Sequence, residues 1–210
     1  MNLEKEVVDK INNKADEISE KIIEYRRKIH QNPELGLAEH ETYKFIKKEL
    51  EDLGLKVKGN LYSREDIKKE LDKLGEDLKE NHGPTGIVGV LEGETPGKTV
   101  VLRSDMDALQ VNESTDPNHL PNKNNFRSQN EGVMHACGHD SHIAMLLGAA
   151  HILTENKSEI KGKIKFLFQP DEERGCGAKL MKKSGVIDDA DAVFGVHVWS
   201  PIESGKVMIN

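Results

Sequence analysis

The chain has 210 residues and a formal net charge of −7 at pH 7, from 30 Lys and Arg against 37 Asp and Glu. Charged residues make up 32% of it and hydrophobic ones 36%, a composition typical of a protein that faces water around a modest core. No run approaches the roughly 18 apolar residues of a membrane-spanning helix, and an acidic chain with few aromatic residues is poorly suited to nucleic acid. We therefore expect neither membrane nor nucleic-acid binding.

The compartment is inferred from the first residues and the cysteines. The opening segment MNLEKEVVDKINNK lacks the apolar region of a secretory signal, so we expect a cytoplasmic protein. The two cysteines, Cys137 and Cys176, are too few for a disulfide framework in a chain of this size. In a reducing compartment they are expected to be free thiols or metal ligands.

Two amphipathic helices are predicted in the first quarter of the chain. Apolar residues recur at spacings of three and four over 3–29, and Pro33 ends that pattern because the residue before a proline is disfavoured in a helix. A second helical pattern covers 39–53 and ends at Gly54, which suits the left-handed position after a helix. Residues 55–57 then begin a strand.

A charged segment and two strands follow. Residues 62–83 form a charged insertion in which 63–81 has helical spacing, so a solvated surface helix or hairpin is expected there. Runs at 85–91 and 99–102 predict two strands around a turn at 94–97.

The second half of the chain alternates helices with strands. The expected elements are a loop over 112–131, a buried helix over 142–153, a strand over 163–168, a short helix over 177–184 and a strand over 192–198. This order predicts an α/β fold, a three-layer α/β/α sandwich around a mixed, largely parallel sheet.

Residues suited to catalysis collect at the ends of the predicted strands and at one helix start. Because parallel strands present their carboxyl ends at one edge of a sheet, we expect these residues to lie close together. They are Asp105, Asp107, Cys137, His139, Glu172, Glu173 and His197.

Cys137 and His139 form the first candidate pair. Gly138 between them relaxes the backbone, so a thiolate and an imidazole can face one divalent cation. The start of the following helix is expected to favour the thiolate over the thiol. The alternative for an isolated pair of this kind is a buried cysteine beside an unrelated histidine.

Glu172 and Glu173 form the second candidate pair, directly after a predicted strand. Adjacent residues of an extended segment point to opposite sides, so one carboxylate can bind a cation while the other acts on a water as general base. Two acids after a strand are otherwise part of a solvated loop.

His197 and two aspartates each allow two interpretations. A histidine in so apolar a strand needs a partner, which is either a backbone carbonyl in the core or a metal. Asp105 and Asp107 either cap a loop or orient a metal-bound imidazole.

Five motifs together resemble the M20 family of metallopeptidases. More narrowly they are similar to its amidohydrolase branch, which includes N-acyl-amino-acid amidohydrolases, indole-acetyl-amino-acid hydrolases and hippurate hydrolase. The resemblance covers about residues 21–210 in order, and MHACGHD is its most specific part. The motifs are RRKIHQNPELGLAEHET, SDMDAL, MHACGHDSHIAMLLGAA, FQPDEERGCGA and VFGVHVW.

The resemblance implies a site for two divalent metal ions, with zinc or manganese favoured and cobalt or nickel possible. By matched motif the ligands are Cys137, His139, Glu173 and His197. A fifth ligand, a histidine, is expected further along the family's polypeptide. Glu172 is then the general base, and Asp107 orients a ligand imidazole. Behind the ligands the supporting residues are Asp105, Asp140 and His142.

Three features depart from the resembled family. Asp171 stands where the family phrase Q-P-A-E-E has alanine, which adds a third adjacent carboxylate. The charged insertion is longer than expected. The sequence ends at Asn210, where the polypeptides of the family are expected to continue. The resemblance therefore implies that residues 1–210 are the N-terminal part of an incomplete catalytic domain of the zinc-peptidase type. By the same resemblance the lid domain is expected outside these residues, and a homodimer is expected only when that lid is present.

Three functional hypotheses follow. The leading one is a metal-dependent amidohydrolase that cleaves the amide bond of N-acyl amino acids or related small amides; a dipeptidase or carboxypeptidase of the same family is a further option. The second is a truncated remnant that binds metal at most. The third is a cysteine hydrolase based on Cys137, which has no need of the Glu-Glu pair.

Overall fold

The computed structural model describes residues 3–209, and side chains from residue 5 onward. The helices are α1 (Leu3–Glu17), α2 (Ser19–Gln31), α3 (His40–Asp52), α4 (Arg64–Leu74), α5 (Leu120–Lys123), α6 (His139–Glu155) and α7 (Cys176–Lys183). The strands are β1 (Lys56–Lys58), β2 (Ile87–Glu92), β3 (Thr95–Asp105), β4 (Lys161–Gln169) and β5 (Ala192–Gly195). In this part of the chain no helix combines the length and the apolar character needed to cross a bilayer.

The five strands form one mixed sheet in the order β1-β2-β4-β3-β5. The pairs β1/β2 and β2/β4 are antiparallel, whereas β4/β3 and β3/β5 are parallel. Four strands therefore point in one direction, and β2 runs against them. The predicted mixed, largely parallel sheet is confirmed.

Helices cover the sheet on both faces, which confirms the three-layer arrangement. Successive strand residues point to opposite faces, so Phe166 and Phe168 join a core with α2, α3 and α6. Leu167, between them, joins a second core with α4 and α7. The predicted buried helix is α6, whose Ile143 and Leu147 are completely buried.

The long first helix expected over 3–29 is divided in the structure. α1 and α2 meet at Ile18, whose φ and ψ are −97° and 6°. The N–H of Ile18 still donates to Lys14 O at 3.1 Å, and the N–H of Ile22 donates to Ile18 O at 3.1 Å. Because helical hydrogen bonds continue through this bend, the spacing of apolar residues does not reveal it. The expected stop before Pro33 is confirmed by the end of α2 at Gln31.

The charged insertion is more deeply packed than the sequence suggested. Its helix α4 has two completely buried residues, Ile67 and Leu71, which contact the second core beside α7. Ser63 and Asp66 cap its start reciprocally, since each side chain accepts the other's backbone N–H. The expectation of a solvated helix is therefore wrong for one face, because apolar residues at helical spacing form a stripe that packs.

β5 is shorter and more exposed than expected. It ends at Gly195 and lies at the edge of the sheet next to β3. Val193 and Phe194 are 56% and 60% exposed, and Trp199, beyond the strand, is 61% exposed. The apolar run that predicted a strand over 192–198 is therefore, in large part, an exposed apolar surface among the described residues.

Candidate metal centre

The residues singled out from the sequence meet at one edge of the sheet. Asp105 is the last residue of β3, His139 is the first of α6, and Glu172 and Glu173 lie in the turn after β4. His197 follows β5. The shared edge arises because β3, β4 and β5 are parallel, so their carboxyl ends lie together.

His139 presents one ring nitrogen that has no partner. Its Nδ1 lies 2.9 Å from the main-chain oxygen of Asp107 and 3.2 Å from the Oδ1 of that residue. Oxygens of these kinds accept, so Nδ1 carries a proton, and in the neutral ring that binds a metal Nε2 carries the lone pair. Nε2 is buried without a hydrogen-bond partner among the described residues. Carboxylate oxygens lie 3.8 to 3.9 Å from it, on Asp105, Glu172 and Glu173.

Cys137 and Glu173 approach the same point. Sγ of Cys137, a ring nitrogen of His139 and a carboxylate oxygen of Glu173 all lie within 4.8 Å of one another. Sγ of Cys137 is also 3.5 Å from Nε2 of His197. A sulfur, ring nitrogens and carboxylate oxygens around an unpartnered ring nitrogen fit a divalent cation. The four ligands implied by the sequence therefore converge.

The thiol of Cys137 differs from the sequence-based expectation. Burial raises its pKa to about 11, and the carboxylates of Glu173 and Glu172 act in the same direction. The dipole of α6 therefore does not make it a thiolate in the metal-free protein. A bound cation reverses this preference, because metal ligation deprotonates a thiol.

His197 is held at the surface and not in the core. It lies beyond β5 and is exposed; its Nδ1 donates to Val198 O at 2.6 Å. In the neutral ring Nε2 therefore carries the lone pair, and this nitrogen faces Sγ of Cys137. The His197 ring stands edge-on to that of His142, with centroids 4.5 Å apart. A core histidine was expected to bond a backbone carbonyl and to be buried. His197 makes such a bond, but it is exposed.

His142 and Asp105 form a second group with His139 and His197, whose ligand-type atoms also lie within 4.8 Å of one another. Both nitrogens of His142 are already in use, however. Nδ1 bonds Asp105 Oδ1 at 2.6 Å, and Nε2 accepts the backbone N–H of Val198 at 2.9 Å. His142 therefore suits a supporting role better than a ligand role.

Asp105 is held ionised by its surroundings. Burial raises the pKa of this carboxyl, but the hydrogen bond from His142 and the nearby charges of His139 and Arg103 outweigh burial, and the net pKa is lowered. Arg103 Nη1 donates to Asp105 Oδ2 at 2.7 Å. Asp105 thus connects β3 to His142, and His142 in turn bonds the backbone N–H of Val198, next to His197.

The segment that carries Glu172 and Glu173 is a turn and not an extended strand. Asp171 adopts a left-handed conformation, with φ of 48°, which reverses the chain after β4. Both glutamates consequently face His139, at 3.9 and 3.8 Å from its Nε2. The expectation that neighbouring carboxylates point to opposite sides is wrong here, because that alternation requires extended backbone.

Gly138 makes the approach of these segments possible. Its φ is 84°, in the left-handed region that favours glycine, and it directly precedes α6. A Cβ atom at this position would overlap a methyl group of Val198. The glycine between Cys137 and His139 therefore both turns the chain and admits the segment that carries His197.

Comparison with known proteins agrees with this geometry. The model of peptidase family M20/M25/M40 matches residues 101–210. The chain belongs to this family. The resemblance drawn from the five motifs is therefore confirmed.

Relatives of this M20 chain include both carboxypeptidases and amidohydrolases. Thermostable carboxypeptidase 2 of Saccharolobus solfataricus is 44% identical over 203 residues, which are 95% of this chain and 44% of the relative. An N-acyl-L-amino acid amidohydrolase of Geobacillus stearothermophilus is 39% identical over 202 residues, which are 96% of this chain and 47% of the relative. The chain thus spans less than half the length of these relatives.

A solved structure supports a two-metal site in the M20 family. A dinuclear metal-binding peptidase of Bacillus subtilis is similar to this chain with a TM-score of 0.69 and 32% identity, over 87% of this chain and 43% of its own. The observation supports divalent metals at the centre described here and leaves their identity open.

Asp140 lies behind the metal centre of this M20 chain and contacts none of the four implied ligands among the described hydrogen bonds. Its Oδ2 bonds Nδ1 of His30 at 2.9 Å and Nε of Arg26 at 3.2 Å. Nε2 of His30 bonds Glu113 at 3.0 Å. Asp140 therefore ties the start of α6 to α2 and to the loop around residue 113.

Glu39 is a buried residue near the centre that the sequence did not single out. It is completely buried and accepts the backbone N–H of Asp171 at 3.0 Å and the hydroxyl of Thr85 at 2.6 Å. Burial raises its pKa to about 8, helped by the charge of Asp107. The residue stands inside the first M20-like motif, which was the only signal available for it.

Proposed function

We propose that this chain forms the metal-binding part of an amidohydrolase that cleaves the amide bond of N-acyl amino acids or related small amides. The single observation that carries the proposal is the buried, unpartnered Nε2 of His139, faced by a thiol and by several carboxylates. In the neutral ring this nitrogen offers a lone pair that suits a cation, and no hydrogen-bond partner among the described residues reaches it.

The proposed ligands of two divalent ions are Cys137, His139, Glu173 and His197. Zinc or manganese suits this mixture of sulfur, nitrogen and oxygen, and cobalt or nickel is possible. When bound, such ions polarise an amide carbonyl and lower the pKa of water from 15.7 toward about 7. We place the fifth ligand in the part of the polypeptide that the longer relatives possess.

Glu172 is the proposed general base. Its Oε2 is 3.9 Å from Nε2 of His139, and its side chain is 36% exposed, so it reaches both the centre and incoming water. Glu172 accepts the proton of the attacking water and passes it to the leaving amine. Asp107 keeps His139 in the tautomer whose lone pair faces the centre.

The substrate class follows from the chemistry that relatives share. A peptide with a free C-terminal residue and an N-acyl amino acid contain the same unit, an amide whose amine belongs to an amino acid with a free carboxylate. Acetyl and benzoyl amino acids are therefore suitable test substrates of this class. The two free cysteines suit action in a reducing compartment such as the cytoplasm.

The test is hydrolysis of acetyl and benzoyl amino acids, beside matched tripeptides, by the protein and its Glu172→Gln variant. We expect Glu172→Gln to lower kcat at least about a hundredfold at unchanged metal content. Glu94→Gln, at an exposed glutamate between β2 and β3, is the control. Equal turnover by Glu172→Gln and the parent protein contradicts the role of Glu172, and faster cleavage of the tripeptides favours a carboxypeptidase.

One observation favours metal binding without turnover as a second candidate. The surface around Phe194 and Trp199 is apolar and exposed, and His197 lies on this open side of the centre. Metal content and activity of a polypeptide that includes the fifth ligand separate the two cases, because bound metal without turnover fits the second. Chelation tests the cysteine-hydrolase alternative, since a Cys137 nucleophile would keep its activity when metal is removed.

A further inference from the structure

One guanidinium joins the charged insertion to the loop between β4 and α7, residues 170–175. Nε of Arg174 donates to Oδ1 of Asp171 at 2.6 Å. Nη1 donates to Oε2 of Glu76 at 2.7 Å, and Nη2 donates to the main-chain oxygen of Gly36 at 3.0 Å. Arg174 therefore contacts its own loop, the insertion and the segment before α3 at the same time.

The insertion offers this arginine a fixed support. Ile67 and Leu71 of α4 are buried in the core beside α7. Nζ of Lys183, at the end of α7, bonds Oδ1 of Asp66 at 2.6 Å. Glu76 follows α4 by two residues, so its carboxylate is positioned by a helix that is packed on α7 and not by a free surface segment.

The loop, in contrast, has a conformation that needs support. Asp171 is in the left-handed region, and its carboxylate is almost completely buried. An aspartate in that conformation is strained, and a buried carboxylate without a partner is costly. The carboxylate bonds Arg174 and lies against Gly36, and it is not a member of either group of ligand-type atoms around His139.

We propose that Arg174 is a positioning residue that uses the insertion, through Glu76, to hold Glu172 and Glu173 at the metal centre. The two glutamates lie between Asp171 and Arg174 in the chain, so the Asp171–Arg174 bond closes the turn that presents them. The inference rests on the metal centre of the proposed function, and its effect on rate rests on Glu172 as base.

The test measures cobalt binding by the protein, with its dissociation constant and visible absorption spectrum, in three variants. Arg174→Met removes all three contacts, and Glu76→Ala removes only the contact with the insertion. Glu80→Ala, at another exposed glutamate of the insertion, is the matched control. We expect Arg174→Met to weaken cobalt binding about tenfold and to change the spectrum, Glu76→Ala to act in the same direction by a smaller factor, and Glu80→Ala to match the parent.

The outcomes separate this inference from the proposed function. Unchanged affinity and spectrum in Arg174→Met and Glu76→Ala, even with a lower melting temperature, would show a purely structural arginine. If Arg174→Met does not fold, the comparison of Glu76→Ala with Glu80→Ala decides. Cobalt binding that responds as expected in a protein without turnover contradicts the function and supports the positioning role. Failure of the parent protein to bind cobalt contradicts both.

In an active protein a positioning role and a purely structural role of Arg174 also predict different kinetics. A loop that misplaces Glu172 lowers kcat while KM stays close to that of the parent protein, because substrate binding does not involve the base. A variant that is only less stable loses active protein and keeps its kcat per folded molecule. Arg174→Lys retains the charge but not the planar set of donors, so we expect it to restore part of the cobalt affinity.

Discussion

Asp107 accepts the main-chain N–H of Glu173 through Oδ2 at 3.1 Å. The other carboxylate oxygen, with the main-chain oxygen of the same residue, faces Nδ1 of His139. One buried side chain therefore fixes both the tautomer of a proposed histidine ligand and the backbone of a proposed carboxylate ligand. These two ligands come from α6 and from the loop after β4, which are far apart in sequence.

Replacing Asp107 with asparagine should uncouple these two ligands. An asparagine side chain has only one acceptor oxygen, so when it accepts from Glu173 the ring of His139 keeps only its bond to the main-chain oxygen of residue 107. We expect Asp107→Asn to weaken divalent-metal binding by about 10- to 100-fold, measured by competition with a chromophoric chelator. Asp191→Asn is the control, because Asp191 also accepts a backbone N–H, from Thr99 at 2.8 Å, near the opposite end of β3. Equal metal affinity in the two variants would exclude the coupling.

The backbone after β4 gives a second prediction. Gly177 lies against the carbonyl of Pro170, and a Cβ atom there would overlap that oxygen. Gly177→Ala must therefore move the turn that carries Glu172 and Glu173, and we expect it to reduce metal affinity at least about tenfold. Gly175 has a φ of 69° and open space at its Cβ position, so Gly175→Ala should cost roughly 1–2 kcal/mol of stability and leave metal binding nearly unchanged. Chelator competition and urea unfolding compare the two variants.

The positions of the candidate ligands could be predicted because they depend on local rules. Cys137, His139 and the Glu pair stand at strand ends and at a helix start, and parallel strands bring such places to one edge. The conformation of the site could not be predicted in this way. The turn at Asp171 depends on Arg174 and on Glu39, which is 132 residues earlier in the chain. Contacts between residues so far apart in the chain leave no periodic pattern in the sequence from which they could be predicted.

Burial was the least predictable property, for the same physical reason. The apolar run over 192–198 allowed a core position for His197, yet Phe194 is exposed because β5 is an edge strand whose outer side is uncovered in the described structure. The insertion reads as a surface helix, yet Ile67 is completely buried because α7 lies beside it. Burial depends on the neighbouring element, and the composition of a segment does not identify that neighbour.

The stability of the insertion gives a third prediction. Leu71 is completely buried in the core beside α7, whereas Leu74, on the same helix, is 41% exposed. Leu71→Ala leaves a cavity and should lower the free energy of unfolding by about 2–5 kcal/mol. Leu74→Ala should lower it by less than about 1 kcal/mol, since less apolar surface is removed from contact. Urea unfolding of the metal-free protein measures both, and equal losses would show that α4 is not packed as described.

The buried carboxyl of Glu39 gives a fourth prediction, a dependence of stability on pH. Burial, with the charge of Asp107, raises its pKa from an ordinary value of 4.5 to about 8. A raised pKa in the folded state means that the folded protein binds the proton more tightly than the unfolded chain. The resulting stability is fully present below about pH 4.5 and is lost as the pH rises through about 8.

Glu39→Gln tests this prediction, because an amide does not titrate but can still accept the backbone N–H of Asp171. Between pH 5 and 8 the free energy of unfolding of Glu39→Gln should rise relative to the parent protein, by up to about 1.4 kcal/mol per pH unit, and level off above about pH 8. Urea unfolding of the metal-free proteins over this range gives the difference. Glu41→Gln, two residues later and exposed, controls for the loss of a carboxylate from this region. If the difference between Glu39→Gln and the parent stays constant over the range, Glu39 is not the group that is protonated in the folded state, and its carboxylate must be stabilised by contacts other than those described.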